Sequence, residues 1–182
     1  MPARGKTDLT SVDSREHGEE LRRAWESALR ILTYRERSRK ELKDKLEGKN
    51  YSPEAVSATI EKLERLELLD DEKFARLWVN SRINFKPRSA WLIERELREK
   101  GIEPETARAI LEELLPPDRE REAARQLAEG RIRHYRGQTP EAARRKLFAY
   151  LARRGFSPGL VREIVNDFVP DDDPDCDGEE PE

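Results

Sequence analysis

Apolar residues recur at helical spacing along this 182-residue chain, and the same arrangement returns three times. A short phrase punctuates each return: "KNYSPEAV" (Lys49–Val56), "KGIEPETA" (Lys100–Ala107) and "RRGFSPGLV" (Arg153–Val161). Three residues past the shared prolines, Pro53, Pro104 and Pro158, stand Val56, Ala107 and Val161. Seven past them stand Ile60, Leu111 and Val165, and ten past them Leu63, Leu114 and Phe168. Offsets of 3, 7 and 10 place these side chains on one buried helix face. Seven residues before each proline is a leucine (Leu46, Leu97, Leu151), and eleven before it stand Leu42, Ile93 and Leu147. The phrase therefore sits between two amphipathic helices.

Its letters have local explanations. Asn50, Gly101 and Gly155 fall where the first helix ends, and Gly or Asn tolerates the left-handed backbone needed there. Proline then occupies the first turn of the next helix, where its missing N–H costs nothing. Lys49, Lys100 and Arg154 place a cation near a helix C-terminus, which complements the helix dipole. A longer helix precedes each pair: Glu19–Tyr34, Asp71–Asn84 and Arg119–Tyr135. "SRKE" at Ser38–Glu41 reads as a capping box, and Ser89 and Thr139 as the equivalent N-caps. Trp25 and Trp78 fall on the long helices with apolar neighbours at helical spacing and read as core. No stretch sustains strand-like alternation. The chain is thus expected to be all-α, with three tandem three-helix repeats forming an elongated, curved array. The expected divisions are a flexible segment 1–18, repeats at 19–68, 69–116 and 117–169, and a disordered acidic tail at 170–182.

Composition changes the picture in one respect. Charged residues make up 41% and hydrophobic residues 35%, which fits helices with much exposed surface. The net charge of −3 conceals an uneven distribution. The tail "PDDDPDCDGEEPE" holds eight acids and no cation, so without it the body stands at +5. Such a tail cannot bury apolar surface. No apolar run approaches the length of a membrane span, the first residues lack a signal-peptide pattern, and a lone cysteine, Cys176, precludes an internal disulfide framework. These features predict a soluble cytoplasmic protein, and the chain is expected to be a monomer.

A search for catalytic chemistry finds little. There is no phosphate-binding glycine loop, nucleophile elbow or HExxH. His17, His134 and Cys176 lack metal-ligand spacing, and Asp70–Asp71 reads as helix capping. No enzyme activity, cofactor or metal is predicted. The cations are more informative. One cluster holds Arg30, Arg35, Arg37, Arg39, Lys40, Lys43 and Lys45; another holds Arg131, Arg133, Arg136, Arg144, Arg145, Lys146, Arg153 and Arg154. Tyr34 and Tyr135 lie within them, and cations interleaved with aromatics suit phosphates and unstacked bases. Aligned on the prolines, Lys40 corresponds to Trp91 and to Arg145. Cations in the outer copies point that position outward, although Trp91 could instead pack between repeats.

A helix–turn–helix DNA reader is one reading of these paired helices. The helices after the turn, however, carry Glu54, Glu61, Glu64, Glu105, Glu112 and Glu113. Carboxylates repel phosphates, which disfavours groove reading by those helices. A helical-repeat scaffold for another partner remains a further alternative.

Four stretches in series resemble the bacterial RecX regulatory proteins: "ALRILTYRERSRKELKDKL" (Ala28–Leu46), "LERLELLDDEKFARLWVNSR" (Leu63–Arg82), "IERELREKGI" (Ile93–Ile102) and "LFAYLARRGF" (Leu147–Phe156). The resemblance covers roughly residues 24–169. It implies curved arrays of three-helix units without catalytic activity. Such proteins dock in the groove of the RecA–single-stranded-DNA filament, where they impede its growth, ATP hydrolysis and strand exchange. It also implies non-specific DNA binding, to single strands and to duplex. The candidate contact residues are Arg35, Arg37, Arg39, Lys40, Lys43, Trp91, Arg131, Arg133, Arg136, Arg144, Arg145, Arg153 and Arg154. On this expectation the first and third repeats meet DNA phosphate or acidic RecA surface, and the middle repeat, with Trp91, meets protein.

Overall fold

The computed structural model describes residues 9–170, with side chains from residue 16 onward. The terminal segment 1–8 and the acidic tail beyond residue 170, with Cys176, lie outside the described residues. Among those described there are nine α-helices and no strand: α1 (Leu9–Tyr34), α2 (Arg39–Glu47), α3 (Pro53–Arg65), α4 (Asp71–Phe85), α5 (Ala90–Glu99), α6 (Pro104–Leu114), α7 (Pro117–Ile132), α8 (Pro140–Ala152) and α9 (Pro158–Phe168). A 3-10 turn, Arg133–Tyr135, follows α7.

The helices start where small polar side chains can satisfy orphan amides. Ser38, Ser52, Thr139 and Ser157 each accept from the amide three residues on. Ser89 does the same for Leu92. Each such cap contributes about 1 kcal/mol. Two boundaries differ from the sequence expectation. Helix α1 begins at Leu9 rather than Glu19, because no proline intervenes and extension costs little once a helix is nucleated. Helix α7 opens at Pro117, with Asp118 and Glu120 in its first turn, and ends at Ile132 in the 3-10 turn.

By contact the described chain falls into two compact units. One joins the residues up to Trp78 with Leu97–Ala107; the other joins Val79–Glu96 with the residues from Arg108 on. In the first unit α1, α2 and α3 close over Ala28, Leu42, Leu46, Val56, Ile60, Leu63 and Leu69. In the second α7, α8 and α9 close over a cluster that includes Ala124, Ala128, Leu147, Leu151, Phe156, Val161 and Ile164. Burying one such leucine or isoleucine contributes about 1.5–3 kcal/mol. The predicted faces are buried as expected, except that Leu114 and Phe168 are half-buried at helix ends. The tryptophans correct the reading. Trp25 and Trp78 are half-buried rather than core, and each indole is roofed by a lysine: Lys62 at 4.3 Å and Lys100 at 4.1 Å.

The repeated phrase does more than turn the chain. In the first unit the carbonyl of Lys100, just before Gly101, accepts the Ser38 hydroxyl at 2.7 Å. In the second unit the carbonyl of Arg154, just before Gly155, accepts the Ser89 amide at 3.0 Å. Each joint thus docks on the start of the preceding repeat's middle helix, and one of the orphan carbonyls at a helix end gains a partner. The two glycines are doubly required. Their φ values are +81° and +86°, and an added Cβ would lie 2.7 Å from Lys40 Cβ or 2.6 Å from Ser89 Oγ. Asn50, at φ +62°, belongs to the first repeat, which has no earlier one to dock on. Its joint meets α1 instead: the Tyr51 hydroxyl donates to the Arg23 carbonyl, and Ser52 donates twice to Glu20.

Candidate nucleic-acid and partner interface

In the first unit a single carboxylate organises three cations. Glu41 on α2 receives Lys100 at 2.5 Å, Arg35 at 2.9 Å and Arg37 at 3.7 Å. Burial pushes its carboxyl up, but hydrogen bonds from Arg35 and Lys100 outweigh that and hold it below the ordinary carboxylate value. Lys100 also lies over Trp78, which stacks on Phe74. Three cations around one acid leave a local positive excess. Nearby, Lys40 packs its stem against Gly101 and donates its ammonium to the Glu99 carbonyl at 3.0 Å. Arg39 pairs with Glu64 at 3.3 Å and Lys43 with Glu47 at 3.7 Å, both at exposed positions where such pairs hold the side chains weakly.

In the second unit Trp91 is 61% exposed, and the Arg95 guanidinium lies 5.2 Å from its ring. Its ring borders a groove of about 300 Å³ walled by Leu111, Leu115, Pro116 and Pro117. The outward alternative for position 91 is therefore the one realised. A second organised cluster lies on α4 and α5, where Glu96 receives Arg82 at 2.7 Å and also pairs with Arg88.

The third repeat's cations divide sharply. Arg131 lies over Tyr135 and Tyr150 and donates to the Tyr135 hydroxyl at 3.1 Å. Arg144 donates to the Val169 carbonyl and to Asn166, which ties α8 to the end of α9. Arg154 donates to the Pro87 carbonyl at 3.0 Å and lies over Tyr150. Arg133 is exposed and, among the described residues, meets Glu129 one turn back. Arg136, Arg145 and Arg153 are exposed and pair with no acid among the described residues.

Three family models match this chain consecutively: the first RecX three-helix domain over residues 24–63, the second over 70–111 and the third over 118–165. The chain belongs to the RecX family of regulatory proteins. Regulatory protein RecX of Thermobifida fusca is 34% identical over 145 residues, spanning 80% of this chain and 78% of the relative. That of Mycolicibacterium smegmatis is 34% identical over 142 residues, spanning 76% and 75%. The crystal structure of RecX from Lactobacillus salivarius superposes with a TM-score of 0.72 at 27% identity, covering 82% of this chain and 97% of that one. A second RecX crystal structure gives a TM-score of 0.75 at 26% identity, covering 92% and 81%.

Across the RecX repeats, the sequence candidates fall into two groups. Arg131, Arg144 and Arg154 are committed to bonds that hold the fold, and Arg37 is largely buried beside Glu41 at 3.7 Å. Arg39, Lys43, Trp91, Arg133, Arg136, Arg145 and Arg153 present their ends to solvent, and Arg35 and Lys40 lie between the groups. The Arg82–Glu96–Arg88 cluster was not among the sequence candidates. A signal for it existed: Tyr34-Arg35-x-Arg37-Ser38 recurs 51 residues on as Phe85-Lys86-x-Arg88-Ser89.

Proposed function

We propose that this protein binds the RecA–single-stranded-DNA filament and restrains its extension, its ATP hydrolysis and its strand exchange. Membership of the RecX family across three consecutive domains carries this reading. The surface is compatible with it. Exposed Arg39, Lys43, Arg133, Arg136, Arg145 and Arg153 offer cations to phosphate or to acidic protein surface. Trp91, with its apolar groove, offers an anchor for a protein partner, because exposed tryptophans dominate interface energetics. Several weak contacts on one chain multiply through effective concentration. Glu54, Glu61, Glu105, Glu112 and Glu113 are exposed on α3 and α6, which argues against reading DNA sequence through those helices. No described helix is long and apolar enough to cross a membrane.

The test is RecA-catalysed ATP hydrolysis on single-stranded DNA with this protein titrated in. Inhibition is expected well below one protein per RecA. Undiminished hydrolysis at excess protein refutes the reading.

A further inference from the structure

Most aromatic rings on this surface are covered. Trp25 and Trp78 lie under lysines, Trp91 beside Arg95, Tyr150 beside Arg131 and Arg154, and Phe168 beside Arg125. Tyr34 and Phe85 break the pattern. Their exposures are 82% and 81%, and neither stacks on another ring or lies under a cation among the described residues. A single bare aromatic calls for no explanation. These two, however, occupy one register.

Each is the last residue of the first helix of its repeat, and each is four residues before a buried serine cap, Ser38 or Ser89. Each is followed at once by a cation, Arg35 or Lys86, and two residues later by an arginine, Arg37 or Arg88. Both of these arginines are braced by a carboxylate on the following helix, Glu41 or Glu96. The connecting stretch is short and ends at a cap with almost no exposure, so the ring's base is fixed while its faces stay open. The third repeat departs from this design. Its helix runs on into the 3-10 turn, and Tyr135 folds back to 9% exposure with Arg131 on its hydroxyl.

We propose that Tyr34 and Phe85 are stacking platforms for unstacked bases of single-stranded DNA, with the cation directly after each ring, Arg35 or Lys86, meeting the adjoining phosphate. Bare π-faces beside cations are the shared requirement of sequence-tolerant single-strand binding. Each ring stands between a neutral polar residue, Thr33 or Asn84, and a cation, Arg35 or Lys86, which suits a polyanion better than an apolar protein groove. This inference rests on the filament reading only in taking single-stranded DNA as the nucleic acid met.

The test needs no RecA, so its outcome is separate from that of the hydrolysis assay. The full-length chain is titrated against a labelled oligothymidylate and against an abasic strand with the same number of phosphates. Wild type is expected to prefer the strand with bases. Tyr34→Ala and Phe85→Ala should each weaken oligothymidylate binding roughly 5- to 100-fold. Neither should alter binding to the abasic strand or the slope of log affinity against log salt, which counts phosphates. Tyr34→Phe and Phe85→Tyr should retain the preference, and helical circular dichroism checks that each variant folds. Equal wild-type affinity for the two strands overturns the proposal. So does undiminished oligothymidylate binding, with the base preference intact, in both alanine variants.

Discussion

Replacing Gly101 or Gly155 by alanine separates two costs that usually travel together. A non-glycine residue held in the left-handed region loses about 1–2 kcal/mol. At Gly101 (φ +81°) the new Cβ would also lie 2.7 Å from Lys40 Cβ, an atom fixed by its own helix. At Gly155 (φ +86°) it would meet Ser89 Oγ at 2.6 Å and Leu92 Cβ at 2.9 Å. Relieving such overlap shifts packed elements and costs about 1–3 kcal/mol more. The sum is about 2–5 kcal/mol, which lowers the melting temperature by roughly 4–20 °C in a chain of this length. Gly137 supplies the control, with φ +82° and nothing within 4 Å of the added Cβ. Gly137→Ala should show the strain alone, roughly 2–8 °C. Thermal melts followed by circular dichroism at matched concentration read all three. Equal losses at positions 101, 137 and 155 would refute the claim that repeats dock through these glycines and leave only backbone strain.

Arg144→Glu should destabilise the chain by about 1–3 kcal/mol, because it removes the bonds to the Val169 carbonyl and Asn166. Arg145→Glu should change stability by less than about 0.5 kcal/mol yet weaken single-stranded DNA binding at low salt; urea melts and fluorescence anisotropy distinguish the two. Glu41→Gln should cost about 1–2 kcal/mol at neutral pH, discounted for partial exposure. Because the folded carboxyl of Glu41 titrates below its ordinary value of 4.5, its contribution is present above that value and fades as pH falls through the folded pKa. The wild type's advantage over the variant should therefore shrink in acid, as urea melts at pH 7 and at progressively lower pH would report. Trp91→Ala should leave the melt within about 0.5 kcal/mol and relieve RecA inhibition; unchanged inhibition removes Trp91 from the contact surface.

The nine helices were legible because three local signals coincided at each joint: a left-handed residue, a proline at the helix start and leucines at fixed offsets on both sides. Caps at Ser38, Ser52, Ser89, Thr139 and Ser157 were legible for the same reason, since a cap speaks only to amides a few residues away. The partners of the joints were not. Nothing near Lys100 announces Glu41, and nothing near Arg154 announces the Pro87 carbonyl, so both cations read as helix-dipole complements. The same blindness made Arg131 and Arg144 look like free contact residues. Trp25 and Trp78 misled because helical spacing places a residue on the inner side without saying how far in, and an indole at the rim can be roofed by a lysine stem. The exposure of Tyr34 and Phe85 lay beyond the pattern too, although the 51-residue register that pairs them is present in the letters.

The docking of the second and third joints on the repeat before them gives the chain a direction in time as well as in sequence. Ser38 is fully buried, yet the carbonyl it bonds belongs to a residue 62 positions later. On a ribosome the first repeat would emerge with that seat empty and keep it empty until the second joint was made. The second repeat would wait in turn for Gly155, while Thr139, the equivalent cap of the last repeat, remains exposed in the finished chain. Each of the first two repeats is thus completed by a segment of the repeat after it. A truncation from the C-terminal end would therefore leave an unfilled seat in the repeat before the cut, while the early repeats would be born unfinished and close in sequence order.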